Sequence, residues 1–160
     1  MLNNFFPTFC RKIMEQKRPS IFIRTNFDLC TGCSLCKTVC SMHMFGGYNP
    51  NKGMLIIRHM WENLAHIPVV CQQCRNPMCM KVCPVKAIYK DEQTQAVVID
   101  QKKCISCKLC SQYCPLGVIH RDMETQKAYK CDLCQGNPQC VQVCPFGALE
   151  LGHENRQSGE

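Results

Sequence analysis

Aromatic rings and charge are both scarce in this sequence. Rings make up 8% of its 160 residues, with a single Trp, and charged residues 19%. A chain so poor in large side chains has little with which to build a deep apolar core, so something else must hold it together. No window offers the ~18 consecutive apolar residues of a membrane span. The patterns G-x-G-x-x-G, G-x-x-x-x-G-K-[ST] and H-E-x-x-H are missing, so nothing marks a nicotinamide, flavin, nucleotide or substrate pocket. No basic run interleaved with aromatics occurs, and nucleic acid is not an expected partner. The opening segment, MLNNFFPTFCRKIMEQKRPS, does not read as a secretory leader: its apolar patch is short and broken by Pro7, and its basic residues follow that patch. The expectation is a soluble, cytoplasmic chain in a reducing compartment, where thiols stay free.

Cysteine is what the chain has in excess. Seventeen residues are Cys, about a tenth of the total and above the ~8–10% at which composition alone implies a cross-linked or metal-held scaffold. Sixteen fall into four groups of four: Cys30, Cys33, Cys36 and Cys40; Cys71, Cys74, Cys79 and Cys83; Cys104, Cys107, Cys110 and Cys114; Cys131, Cys134, Cys140 and Cys144. Only Cys10 is left over. Pro84, Pro115 and Pro145 directly follow three of the groups, and the segments PVKAI, PLGVI and PFGAL then repeat, which is internal repetition of a supersecondary unit.

Three thiols two residues apart let one tight loop wrap a cube corner and turn backbone N–H groups toward it. The fourth thiol, three residues on, is expected to leave the loop as a short helical turn begins, with proline fixing the exit. Zinc is the rival guest, but zinc sites usually pair two C-x2-C knuckles a dozen or more residues apart, often with histidine. Here each group packs four thiols into 11 to 14 residues. The third run, C-x2-C-x2-C-x3-C-P, is the known pattern of bacterial ferredoxins, whose fourth cysteine ligates the neighbouring cluster. The formal charge of +7 counts these thiols as neutral. Four oxidised cubanes would add roughly −8 and remove the basic balance.

Around the motifs, SIFIRTNFDLC and GMLIIRHM read as short strands, and YKDEQTQAVVIDQKKC as a hairpin closing on Asp100. The fold class expected is small α+β, with loops wrapped around metal.

The order of the four motifs, with x4 in the second and x5 in the fourth, resembles the four-cluster polyferredoxin electron-transfer subunits. These accompany tungsten and molybdenum oxidoreductases, formate dehydrogenases, some hydrogenases and carbon monoxide dehydrogenase. The resemblance covers residues 20 to 150. It implies four [4Fe-4S] clusters ligated crosswise: Cys30, Cys33 and Cys36 with Cys144; Cys131, Cys134 and Cys140 with Cys40; Cys71, Cys74 and Cys79 with Cys114; Cys104, Cys107 and Cys110 with Cys83. The chain would then form two ferredoxin-like lobes. The outer one takes residues 20–70 and 120–151, and the inner one, 71–119, is inserted between its halves. Cys40 departs from the pattern, since Ser41 stands where the others have proline.

The stretch CTGCSLCKTVCSMHMFGGYNPNKGMLII is similar to the small partners of tungsten-dependent aldehyde oxidoreductases, and that class of catalytic partner is favoured. What the resemblance implies is a non-catalytic subunit passing single electrons between a large tungsten or molybdenum catalytic subunit and a soluble carrier or second redox subunit. Alternatives are a subunit of the other oxidoreductases named above, a free-standing polyferredoxin, or a scaffold that carries no current.

Other residues have plainer readings. His43 is expected at the surface or hydrogen-bonding near a cluster, because thiols already fill every ligand position. Lys37, Lys81, Lys86 and Lys108 read as solvated charge. Met42, Met44, Met78 and Met80 read as packing of an irregular apolar shell. Residues 1–19, with Phe5, Phe6, Phe9 and Ile13, form a candidate partner-docking arm, and residues 152–160 a disordered tail.

Overall fold

The computed structural model describes residues 20–154. The N-terminal arm with Cys10, and residues 155–160 of the expected tail, lie outside them. Every strand among the described residues pairs with one antiparallel partner, giving four two-stranded sheets there. Strand β1 (Ser20–Thr25) pairs with the last strand, β8 (Leu149–Glu154), in the register Ile23↔Leu151. Between them come hairpin β2 (Ile56–Met60) with β3 (Ala65–Val69), hairpin β4 (Ile88–Lys90) with β5 (Val97–Ile99), and hairpin β6 (His120–Arg121) with β7 (Ala128–Tyr129). Among the described residues helix α1 (Leu35–Phe45) is the longest, and α2 (Met78–Lys81), α3 (Leu109–Gln112) and α4 (Gln139–Gln142) are single turns. This is the mixture of short helices and small sheets expected. Strands β3, β6, β7 and β8 carry no clear alternation in sequence, and the tail's Gly152–Glu154 are paired strand.

The apolar core is thin and divided. Ile23, Met54, Leu55, Val70, Ala96, Val118, Leu133 and Leu149 are almost fully buried in one cluster; Ile88, Val97, Ile119 and Ala128 form a smaller one. Burying one such Ile or Leu contributes about 1.5–3 kcal/mol, and few of them are present. Cysteines stand in both clusters, with Cys114 touching each. Of the four flanking methionines, Met44 and Met80 pack against these clusters as expected, whereas Met42 and Met78 are exposed.

Two glycines fix how the outer strands sit. A Cβ on Gly152 would lie 2.6 Å from the Phe22 ring, so β8 admits that ring only because residue 152 has no side chain. A Cβ on Gly53 would lie 2.8 Å from the Lys37 carbonyl, and this close approach holds the segment after α1 against the helix.

Candidate metal centres

The four cysteine motifs open in the same way. The residue just before the second cysteine has a left-handed backbone in all four: Gly32 (φ 72°), Gln73 (φ 47°), Ser106 (φ 61°) and Leu133 (φ 60°). Alternating hand along the chain turns successive N–H groups to one side and makes a concave nest for negative charge. Only Gly32 announces this in the sequence; for Leu133, fully buried, the conformation is strained.

A helical turn then begins around the third cysteine and ends before the fourth, in α2, α3 and α4. The expected order, with the turn beginning at the fourth cysteine, is therefore corrected. The turn places the N–H groups of Met80, Ser111 and Val141 on the carbonyls of Pro77, Lys108 and Pro138. Two of the fourth thiols gain a backbone donor, Ala87 N–H to Cys83 Sγ and Met54 N–H to Cys40 Sγ, both at 3.2 Å.

The motifs exchange their fourth cysteines. Cys30, Cys33, Cys36 and Cys144 line one pocket. Cys131, Cys134, Cys140 and Cys40 line a second. Cys104, Cys107, Cys110 and Cys83 line a third. Cys71 and Cys114 both act electrostatically on Cys79, and Cys74 is exposed in the loop between Cys71 and Cys79. Three pockets, each lined by three thiols from one motif and one from another, fit a repeated guest. The other linings are mainly apolar, among them Leu29, Ile57 and Phe146 in the first and Val85, Ile99 and Ile105 in the third.

The thiols are tuned to hold a cation. Burial pushes Cys36, Cys40 and Cys110 up to about 11 and Cys140 up to about 12, and it raises Cys79, Cys131 and Cys134. Thiolate neighbours add to the rise. A bound metal deprotonates such thiols, and all-sulfur sets suit [4Fe-4S] clusters. The same repulsions order the sets. Cys36 acts on Cys140, Cys71 on Cys131, and Cys79 on Cys110, so the four sets form one unbroken series.

His43 is exposed, with Nε2 3.9 Å from Asp132 Oδ2 beside Cys134. Lys81, Lys86 and Lys108 are exposed and Lys37 half-buried. Sequence reasoning passed over three side chains. His66 lies on Gly32, where a Cβ would come within 2.8 Å of the ring, and its Nδ1 is 2.8 Å from His59 Nδ1. Gln73 and Lys130 are buried between the second and fourth motifs. Lys130 directly precedes Cys131, which was the only available signal.

No helix among the described residues is long and apolar enough to cross a membrane. The 4Fe-4S dicluster domain family matches residues 62–154. Over 140 residues the chain is 34% identical to the aliphatic sulfonate oxidoreductase, polyferredoxin-like subunit, of Pyrococcus furiosus, covering 88% of this chain and 78% of that one. It is 36% identical over 123 residues to NADH-dependent phenylglyoxylate dehydrogenase subunit beta of Aromatoleum evansii, covering 76% of this chain but 28% of that subunit. A chain of the active-site complex BamBC of benzoyl coenzyme A reductase shares the fold, with a TM-score of 0.53 at 22% identity over 89% of this chain and 84% of that one. With its thiol loops and with these matches across most of its length, the chain belongs to the 4Fe-4S dicluster domain family.

Proposed function

We propose that the chain is the non-catalytic electron-transfer subunit of an oxidoreductase complex and holds four [4Fe-4S] clusters in a row. All sixteen grouped cysteines would be ligands, crossed as the family resemblance implies, with Cys74 completing the set of Cys71, Cys79 and Cys114. The observation that carries this reading is the grouping of thiols in pockets, three from one motif and one from another. Each bound cluster takes up and releases one electron, at potentials that span about −700 to +450 mV across such centres.

The chain's own part is to bind, space and tune. Crossed ligation ties each motif to a distant one, so that the clusters do the work of a large core. The N–H groups of Met54 on Cys40 and of Ala87 on Cys83 favour the extra negative charge of the reduced state. Apolar side chains line much of the pockets, while Cys33, Cys74 and Cys107 reach the surface. The two sets built on the second and third motifs form the inner lobe, residues 71–119, and the other two sets the outer lobe, residues 20–70 and 120–151. The relatives are named as oxidoreductase subunits, which supports a catalytic partner. The segment from Cys30 to Ile57 favours a tungsten or molybdenum enzyme of the aldehyde oxidoreductase class.

Anaerobic affinity purification from the native host, with metals counted in the complex recovered, tests this. A large subunit bringing tungsten or molybdenum beside the iron is expected, and nickel in its place would overturn the choice of partner. Replacing Cys114 with Ser is expected to remove one cluster's iron. Unchanged iron content would overturn the ligand assignment.

A further inference from the structure

Lys130 is 3% exposed, and burying an ammonium group costs several kcal/mol unless opposite charge answers it. Its Nζ donates to three oxygens, none of them ionised: the Cys131 carbonyl at 2.9 Å, Gln73 Oε1 at 3.4 Å and the Val97 carbonyl. Among the described residues it forms no ion pair with a carboxylate. Gln73 is shaped to serve this arrangement. It is 5% exposed, its Nε2 donates to the Cys131 carbonyl at 3.0 Å, and its Oε1 also accepts the Val97 N–H at 2.9 Å. Gln73 lies between Cys71 and Cys74 of one set, while Cys131 belongs to the next. The polar knot therefore joins the two middle sets of the series. Lys130 acts on Cys79 in one set and on Cys131 in the other, favouring the thiolate in both.

We propose that Lys130 is a fixed countercharge built between the two middle cluster sites, holding their reduction potentials above the values those sites would otherwise have. A positive charge in a poorly solvated place stabilises the more negative, reduced state of a neighbouring centre. Each centre gains one electron with no bond made or broken, and the fixed charge answers that electron without proton uptake. Two adjacent centres poised upward give an electron entering at either end a place to rest inside the chain. Lys130 is thus a positioning residue for charge, acting through the thiolates. The proposal rests on the four-cluster reading above.

The test is a redox titration of the loaded full-length chain, followed by electron paramagnetic resonance, for the unmutated protein and for Lys130→Met, Lys130→Gln and Lys130→Arg. In Lys130→Met two of the four centres are expected to become at least tenfold harder to reduce, about 59 mV lower for a one-electron couple. Lys130→Arg, which keeps the charge, is expected to stay within threefold of the unmutated protein. A merely structural lysine would not give this pattern. Fully loaded Lys130→Met with unmoved potentials, or with all four centres moved equally, would overturn the proposal. If Lys130→Met loses iron, Lys130→Gln, which keeps a hydrogen-bonding head without charge, decides by the same criterion. Loss of iron from both neutral variants with retention in Lys130→Arg would assign the charge to assembly and overturn its role in tuning. Iron and spin counts on the unmutated chain test the four-cluster reading separately.

Discussion

The first cysteine motif and the other three solve one problem in two ways. After Cys83, Cys114 and Cys144 a proline opens a tight turn, closed by the N–H of Lys86, Gly117 and Gly147 onto the cysteine carbonyl at 3.1 to 3.4 Å. After Cys40 there is no proline, and α1 continues through the cysteine to Phe45, where Gly46 (φ 68°) caps it with its N–H on the Met42 carbonyl. In the second motif the N–H that reaches the fourth thiol comes from Ala87, four residues on; in the first it comes from Met54, fourteen residues on. The longer route still delivers a backbone donor to sulfur. What these two motifs share is therefore the contact at the thiol, while the chain length used to reach it varies.

Ser41 holds the longer route in place. It is fully buried, its hydroxyl lies 2.8 Å from the Thr38 carbonyl and 3.1 Å from that of Gly47, and it accepts the Asn49 N–H at 3.1 Å. Forcing the first motif to resemble the others should break it. Ser41→Pro places a proline inside α1 and is expected to cost about 3 kcal/mol or more, with loss of the iron held through Cys40. Melting of the loaded chain together with an iron count checks this; an unchanged melting temperature would mean that α1 need not run through Cys40. Gly53→Ala comes next. Its Cβ would meet the backbone of α1 at Lys37, which cannot swing aside, and the expected loss is about 1–3 kcal/mol. A variant as stable as the parent would show that the Met54 donor tolerates displacement.

Much of the site was legible because spacing of cysteine is itself the chemistry. Sixteen thiols in four groups, and the departure at Ser41, stand in the sequence directly. The consequence of that departure was not legible, because a helix passing through a ligand depends on Gly46 and on the distant contact of Gly53 with Lys37. The left-handed residues were equally hidden: Gln73, Ser106 and Leu133 are not residues that advertise positive φ. Strands as short as β6 and β7 show no alternation to read, since two residues cannot display a period of two. Lys130 looked like any lysine beside a motif, and only its burial sets it apart.

An ion pair joins the two kinds of exit. Lys52, in the turn after α1, lies 3.0 Å from Asp122 Oδ1 in the hairpin that follows the third motif, while Asp122 Oδ2 accepts the N–H and hydroxyl of Thr125, both at 2.9 Å. The Thr125 N–H and then Lys52 hold the Asp122 carboxyl down at about 2, against an ordinary 3.8. A depressed carboxylate contributes stability that is fully present above its ordinary value and is lost as pH falls from about 4 through about 2. Asp122→Asn should therefore melt earlier than the parent by the same margin at pH 5, 6, 7 and 8. A margin that changed within that range would assign the effect to another group.

The smallest effect expected concerns the one proline exit that lacks a glycine. Gly117 (φ 68°) and Gly147 (φ 64°) occupy the third position after their cysteines, but the equivalent residue of the second motif is Lys86, at φ 50°. A side chain in that region costs roughly 1–2 kcal/mol, from which the greater freedom of unfolded glycine takes back about 0.4–1 kcal/mol. Lys86→Gly is therefore expected to stabilise the loaded chain slightly, by about 0.5–1 kcal/mol, read as a rise of roughly 2 °C in melting temperature. Gly117→Ala makes the converse test clean, because its Cβ would meet no atom within 4 Å and only the backbone conformation is at issue. It should lose a similar amount. If Lys86→Gly lowered the melting temperature instead, the exposed lysine would be contributing more at the surface than its conformation costs, and the equivalence of the three proline exits would end at that position.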